Sequence, residues 1–222
     1  MAVKILEYIS IFLALMVVLS LHEFAHGFAA VKSGDYTPKM YNRYTLNPLA
    51  HFDFIGLICF TFIGFGWAKP MPVNPRNFKN YKLGCVFVSI AGVVANYLLA
   101  FLVFPLLILS ILYVPTFGYF TAVLINTLYY IFHFSLVFFV FNLLPLYPLD
   151  GFRLIDSLNK RRGKVYMFLR NYGTYVLYAL FLLGIYADIT GFYQIDILGN
   201  LIRYVVSIIE KPILLFWGLI LP

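Results

Sequence analysis

A long apolar run from Ile5 to about Val31 carries three ionisable side chains, His22, Glu23 and His26, in its second half. A stretch of this length reads as a retained membrane-spanning helix, too long and too polar at those positions for the core of a signal peptide. Histidine and glutamate are costly inside a membrane, so such groups are functional by default. Helical spacing decides what they can do. Residues four apart share a face, so the two imidazoles stand one turn apart and can grip one zinc ion. Glu23 projects about 100° around the helix from His22, within reach of a water that such an ion activates. A lone His-Glu-x-x-His recurs by chance in many chains, and the competing reading is a histidine pair at a helix end near the membrane surface.

The rest of the chain is of the same kind. Its 222 residues are 63% hydrophobic and only 11% charged, with mean hydropathy +0.89, which excludes an ordinary soluble domain. The formal charge of +7 lacks the basic stripe on a soluble domain that nucleic-acid binding requires, so no nucleic acid is expected and the charge is read as topological. Cys59 and Cys85 have no paired spacing and are read as apolar packing residues.

Further apolar runs extend from about Gly84 to Tyr113, from Tyr119 to Leu144 and from Val165 to Ala187. Pro115 and Gly118 make the first two a membrane hairpin. The polar stretch 32–53 reads as an interfacial loop, with Asn47-Pro48 closing off any helix before His51. Residues 54–67 are short for a span and rich in residues that suit strands, and the prolines between Ala68 and Pro75 forbid regular helix. The tail from Ile197 either crosses again or lies on the surface, because Arg203, Glu210, Lys211 and Pro212 interrupt it. The expected fold is an all-α polytopic membrane protein in one domain, 1–222. It has a three-helix catalytic core (about 5–158), a re-entrant hairpin or loop, and one or two further membrane helices at about 165–187 and 197–221.

A catalytic zinc held by two histidines needs a third protein ligand, often a carboxylate. Asp150, in the Leu-Asp-Gly turn after the third long run, is the leading candidate and Asp53 its rival. Asp35, Asp156, Asp188 and Asp196 read as solvated loop charges.

Taken together, His22-Glu23-x-x-His26, Asn47-Pro48-x-x-His51-x-Asp53, Pro72-Val73-Asn74-Pro75, Ala91-Gly92-x-x-x-Asn96 and Asn142-Leu143-Leu144-Pro145-x-x-Pro148-Leu149-Asp150-Gly151 resemble the motifs of the site-2 protease family of intramembrane zinc metalloproteases. The resemblance covers residues 20–153 and is closest to the family's minimal form, without a PDZ or CBS domain. It implies one zinc ion per chain bound by His22, His26 and Asp150, with Glu23 as general base, and roles near the substrate or the oxyanion for Asn96, Asn142 and His51. Here Gly92 is followed by Val93 where the family has proline, and Phe152 stands where it has a small residue. Both departures bear on substrate preference rather than on the chemistry.

The activity so implied is hydrolysis of a peptide bond within or beside a transmembrane segment, as in regulated intramembrane proteolysis. The partners are the lipid bilayer and a membrane-anchored protein carrying a transmembrane or signal-peptide segment. A helical substrate must unwind, and residues 54–75 can offer a strand edge to support it. Without the resemblance, Asn96 and Asn142 read as interhelical hydrogen-bonding groups. Two other classes remain, an ion-coupled transporter, for which no internal repeat is found, and a catalytically silent protease-like scaffold, which would not need Glu23. For His22 and Asp150 to meet, the first and third long helices must run in the same direction, so residues 54–67 must re-enter rather than cross. Seven basic residues (Lys32, Lys39, Arg43, Lys69, Arg76, Lys79, Lys82) and five more (Arg153, Lys160, Arg161, Arg162, Lys164) then share one face. By the positive-inside rule that face is cytoplasmic, placing the protein in the cell membrane with its active site toward the cytoplasmic half.

Overall fold

A computed structural model of the chain describes residues 2–63, 66–115, 118–159 and 161–221. Lys160, counted above in the basic cluster, falls outside them. The helices are α1 (Ala2–Ser33), α2 (Thr37–Met40), α3 (Pro48–His51), α4 (Phe54–Ile63), α5 (Tyr81–Tyr113), α6 (Tyr119–Asn142), α7 (Asp150–Leu158), α8 (Lys164–Thr190), α9 (Ile197–Ile209) and α10 (Lys211–Gly218). Among the described residues, four helices are long and apolar enough to span a membrane: α1, α5, α6 and α8. The protein is an all-α, multi-pass membrane protein.

Helices α1, α5 and α6 each pack along the other two and form the core. Ala14, Leu15 and Val18 of α1 meet Val103 of α5 and Ile131 and Phe138 of α6 in one buried cluster. The end of α1 is set by Gly34, whose φ of +107° suits glycine alone. Gly34 N donates to Val31 O, and Asp35 N reaches back to Ala30 O, the paired bonds that close a helix on a left-handed residue. Lys79 N donates to Ser33 O at 2.8 Å, so the end of α1 and the start of α5 share one face of the bundle. With α6 returning alongside, α1 and α6 run in the same direction, as the meeting of His22 and Asp150 requires.

Residues 54–63 differ from the strand-like reading: they form α4. A single strand leaves its backbone groups bare where water is scarce, whereas a helix pairs them internally. Asp53 starts it by accepting the Gly56 N–H at 3.1 Å, so this carboxylate is a helix cap and takes no part in the metal cluster. Asn47-Pro48 likewise opens a helical turn rather than closing one, with Asn47 Oδ1 capping Leu49 N and Pro48 in the first turn. The segment dips and returns. Phe62 reaches Tyr8, roughly 21 Å along α1 from His22, yet Lys69 N comes back to His51 O at 2.9 Å and Ala68 bridges Phe52.

The tail does not cross as one helix. Pro212 removes a backbone donor where α9 would continue, and the chain bends into α10. Both pieces pack on the far side of the core, with Val206 and Ile213 against Ala100, Phe132 and Leu136. Pro105 lies inside α5 and cannot supply the N–H that the Phe101 carbonyl would otherwise accept. Trp217 Nε1 donates to that carbonyl instead, at 2.9 Å.

Candidate metal centre and catalytic cleft

His22 and His26 stand one turn apart on α1, both almost fully buried. The ring of His26 is fixed by its Nδ1–H, which donates to the Val88 carbonyl of α5 at 2.7 Å, leaving Nε2 as a free lone pair. Asn96 Nδ2 lies 3.1 Å from His22 Nδ1 while its buried Oδ1 has no partner, and the two ends of a carboxamide exchange by a half-turn of the amide. With that oxygen turned to the ring, Asn96 accepts the Nδ1 proton and frees His22 Nε2 in the same way. Such outer contacts set the tautomer and the aim of metal-binding histidines.

The third group arrives from the start of α7. Gly151 packs so tightly on the end of α6 that an added Cβ would collide with the Leu143 carbonyl, and this holds Asp150 over the histidines. Its Oδ2 lies 3.2 Å from His22 Nε2 and 3.1 Å from His26 Nε2, and the two Nε2 atoms are 3.0 Å apart. Three lone-pair atoms thus converge on one point. Tetrahedral zinc ligands at their usual bond lengths sit about 3.3 Å apart, so the donor set fits zinc in both chemistry and spacing.

Helix α5 can approach this triad because residue 92 has no side chain. An added Cβ there would fall 2.6 Å from His22 Cε1 and 2.6 Å from His26 Nε2. Glu23 stands beside the triad with one oxygen engaged, since Met71 N donates to Oε2 at 2.6 Å. The Met71 side chain covers Gly27, so the return limb of the re-entrant segment is laid across the face of α1 that carries Glu23 and Gly27. A cavity of about 580 Å³ opens in front of His22, Glu23, His26 and Asp150, and Gly66–Ala68, Pro70, Asn142 and Arg153 line it.

The residues expected near the substrate separate. Asn142 lines the cavity, its Nδ2 donating to Phe138 O and its other end free for further contacts. Asn96 lies behind His22, away from the cavity lining. His51 is fully buried, with Nε2 on the Thr45 carbonyl at 2.6 Å, and anchors the base of the re-entrant segment rather than facing the cleft. Asp35 is not solvated: it is fully buried and accepts from Thr37, Asn74 N and Asn77 Nδ2, tying the end of α1 to the loop that carries Met71. Asp188 lies in α8, not in a loop. Sequence reasoning passed over Arg153, whose Nη1 is 3.8 Å from the outer Asp150 oxygen. Its place one turn after Asp150 was the available signal.

The profile described as Peptidase family M50 matches residues 110–184. A protein of Bacillus subtilis (strain 168) named "Putative zinc metalloprotease YwhC" is 46% identical over 147 residues, covering 66% of this chain and 67% of that protein. No solved structure matches.

Proposed function

Because the chain belongs to peptidase family M50, the site-2 protease family, we propose that it is a zinc-dependent intramembrane endopeptidase that cuts a membrane-anchored protein within or beside its transmembrane segment, as in regulated intramembrane proteolysis. The observation that carries this reading is the convergence of His22, His26 and Asp150 beside Glu23, at the wall of a cleft between apolar helices. His22 Nε2, His26 Nε2 and Asp150 Oδ2 would hold the ion, one per chain. When bound there, zinc supplies a Lewis acid that polarises the scissile carbonyl and acidifies water.

The chain's own groups do the rest. Glu23 takes the proton of the attacking water and returns it to the leaving amine. Met71 N–H keeps Oε2 in place, so the carboxylate meets the substrate in a fixed pose. The extended limb Gly66–Pro70 borders the cavity and suits pairing with an unwound substrate backbone. Asn142, lining the same cavity, is the better placed of the two asparagines to touch the substrate or a developing oxyanion, whereas Asn96 orients His22. The basic residues gathered where α1 ends and α5 begins favour a cell-membrane protein with this end, and the cleft near it, toward the cytoplasm.

Zinc content and cleavage of a membrane-anchored test substrate separate the roles. Glu23→Gln should keep the metal and lose about 10² to 10⁴-fold in turnover, while His22→Ala should lose the metal. Equal zinc loss in both would overturn the assignment. For the topology, Ser33→Cys in a chain lacking Cys59 and Cys85 should react with an impermeant thiol reagent from the cytoplasmic side only.

A further inference from the structure

The cleft continues well beyond the reacting groups. Its far wall is made by Leu180, Phe181 and Ile185 of α8 with Leu198 and Ile202 of α9, and two carboxylates, Asp188 and Asp196, also line it. Tyr147, three residues before Asp150, is held against α8 where its N–H donates to Leu169 O and its backbone crowds Gly173. Asp188 therefore lies roughly 25 Å along α8 from the level of the metal triad.

The two acids differ in what they already do. Asp196 caps α9 through Gly199 N and pairs with Arg203 at 3.0 Å. Asp188 is exposed and, among the described residues, has no hydrogen bond or ion pair. It also stands in the last turn of α8, where the helix dipole disfavours an anion. A carboxylate set against the dipole, without a cation, at the far end of a cleft whose α8 and α9 walls are mostly apolar is open to pairing with a cation carried by what enters that cleft.

We infer that the cleft takes the substrate's membrane segment lengthwise, with the scissile bond at the metal end and a lysine or arginine at the flank that reaches Asp188. This rests on the protease reading above and adds the substrate feature it selects. The interval of roughly 25 Å corresponds to about 8 residues if the segment is extended and about 16 if it stays helical. The apolar walls accept the intervening residues without choosing among them, so the distant charge pair supplies register.

The test uses the full chain carrying Glu23→Gln, in lipid nanodiscs, and synthetic spanning peptides of about 25 residues with Lys, Gln or Glu at the far flank. The Lys peptide should bind about fivefold more tightly than the Glu peptide, and adding Asp188→Lys should reverse the order. Asp188→Asn should bind the two peptides alike, and the zinc content of each variant reports that it is folded. Affinities independent of flank charge, or a preference that survives Asp188→Lys, would overturn the inference. The protease reading fails by a different result: a chain with Glu23 intact that leaves the tightly bound Lys peptide uncut.

Discussion

Changing Gly92 to alanine adds one methyl group, yet it tests the metal centre without removing a ligand. The new Cβ would sit 2.6 Å from His22 Cε1 and from His26 Nε2, and 2.7 Å from His22 Nε2, where ordinary contact begins at 3.4 Å. Relief requires the imidazoles or the α5 backbone to retreat by roughly 0.8 Å. Metal–ligand distances tolerate about 0.2 Å, and the Val88 carbonyl and Asn96 hold both rings from behind. At least one ligand bond must therefore stretch or break. We expect zinc affinity to fall by about 10²-fold or more, which is about 2.7 kcal/mol. Helix propensity acts in the opposite direction, since alanine favours α5 by up to about 1 kcal/mol over glycine, so weaker zinc binding would not reflect a weaker helix. The assay is competition with a chromophoric chelator on the purified protein in detergent, with a thermal melt of the metal-free form. Gly163→Ala is the control, because an added Cβ there meets nothing within 4 Å. Zinc binding by Gly92→Ala within threefold of the parent would refute the packing argument.

Asn96→Leu should strip the acceptor from His22 Nδ1 and weaken zinc binding about 10 to 100-fold; full zinc retention with low turnover would restore a direct role at the substrate. Asp35→Ala should destabilise the protein by about 3 kcal/mol, because a buried acceptor of several charge-assisted bonds is lost. Burial raises the Asp35 carboxyl, but its donors, Thr37 and Asn74 N foremost, outweigh that and hold it below the usual range. Its folded pKa is thus below the unfolded one, so its contribution is complete above about pH 4 and is lost as pH falls through the depressed value. Melting temperatures should show the parent losing stability on acidification where Asp35→Ala changes less, and parallel curves would contradict this.

The spans and the metal ligands were legible because hydropathy and helical spacing act locally: His22 and His26 share a face wherever the helix goes. Parity then followed from one demand, that Asp150 reach them. What stayed hidden depends on contacts across helices. Nothing in the sequence says that Asn96 points behind His22, or that Met71 N–H covers Glu23, because both follow from how closely Gly92 lets α5 approach and where the re-entrant limb returns. Residues 54–63 read as strand by composition and folded as helix because backbone satisfaction outranks propensity in a dry environment. Asp53, just before that run, carried the cap signal that favours a helix start.

The bond from Trp217 to the Phe101 carbonyl joins residues 116 positions apart, and this sets an order of events during synthesis. At ribosomal rates of about 5–20 residues per second, roughly 6 to 23 s separate the two residues. Through that interval α5 holds a carbonyl that its own proline has left unpaired, within a helix already committed to the bilayer. The core is therefore finished from its far end, by a tryptophan that arrives long after the ligands have been made. A nascent chain interrupted before Trp217 would carry its complete set of metal-binding and proton-transfer groups on a scaffold with an open polar site, a surface that membrane chaperones and quality-control proteases can read.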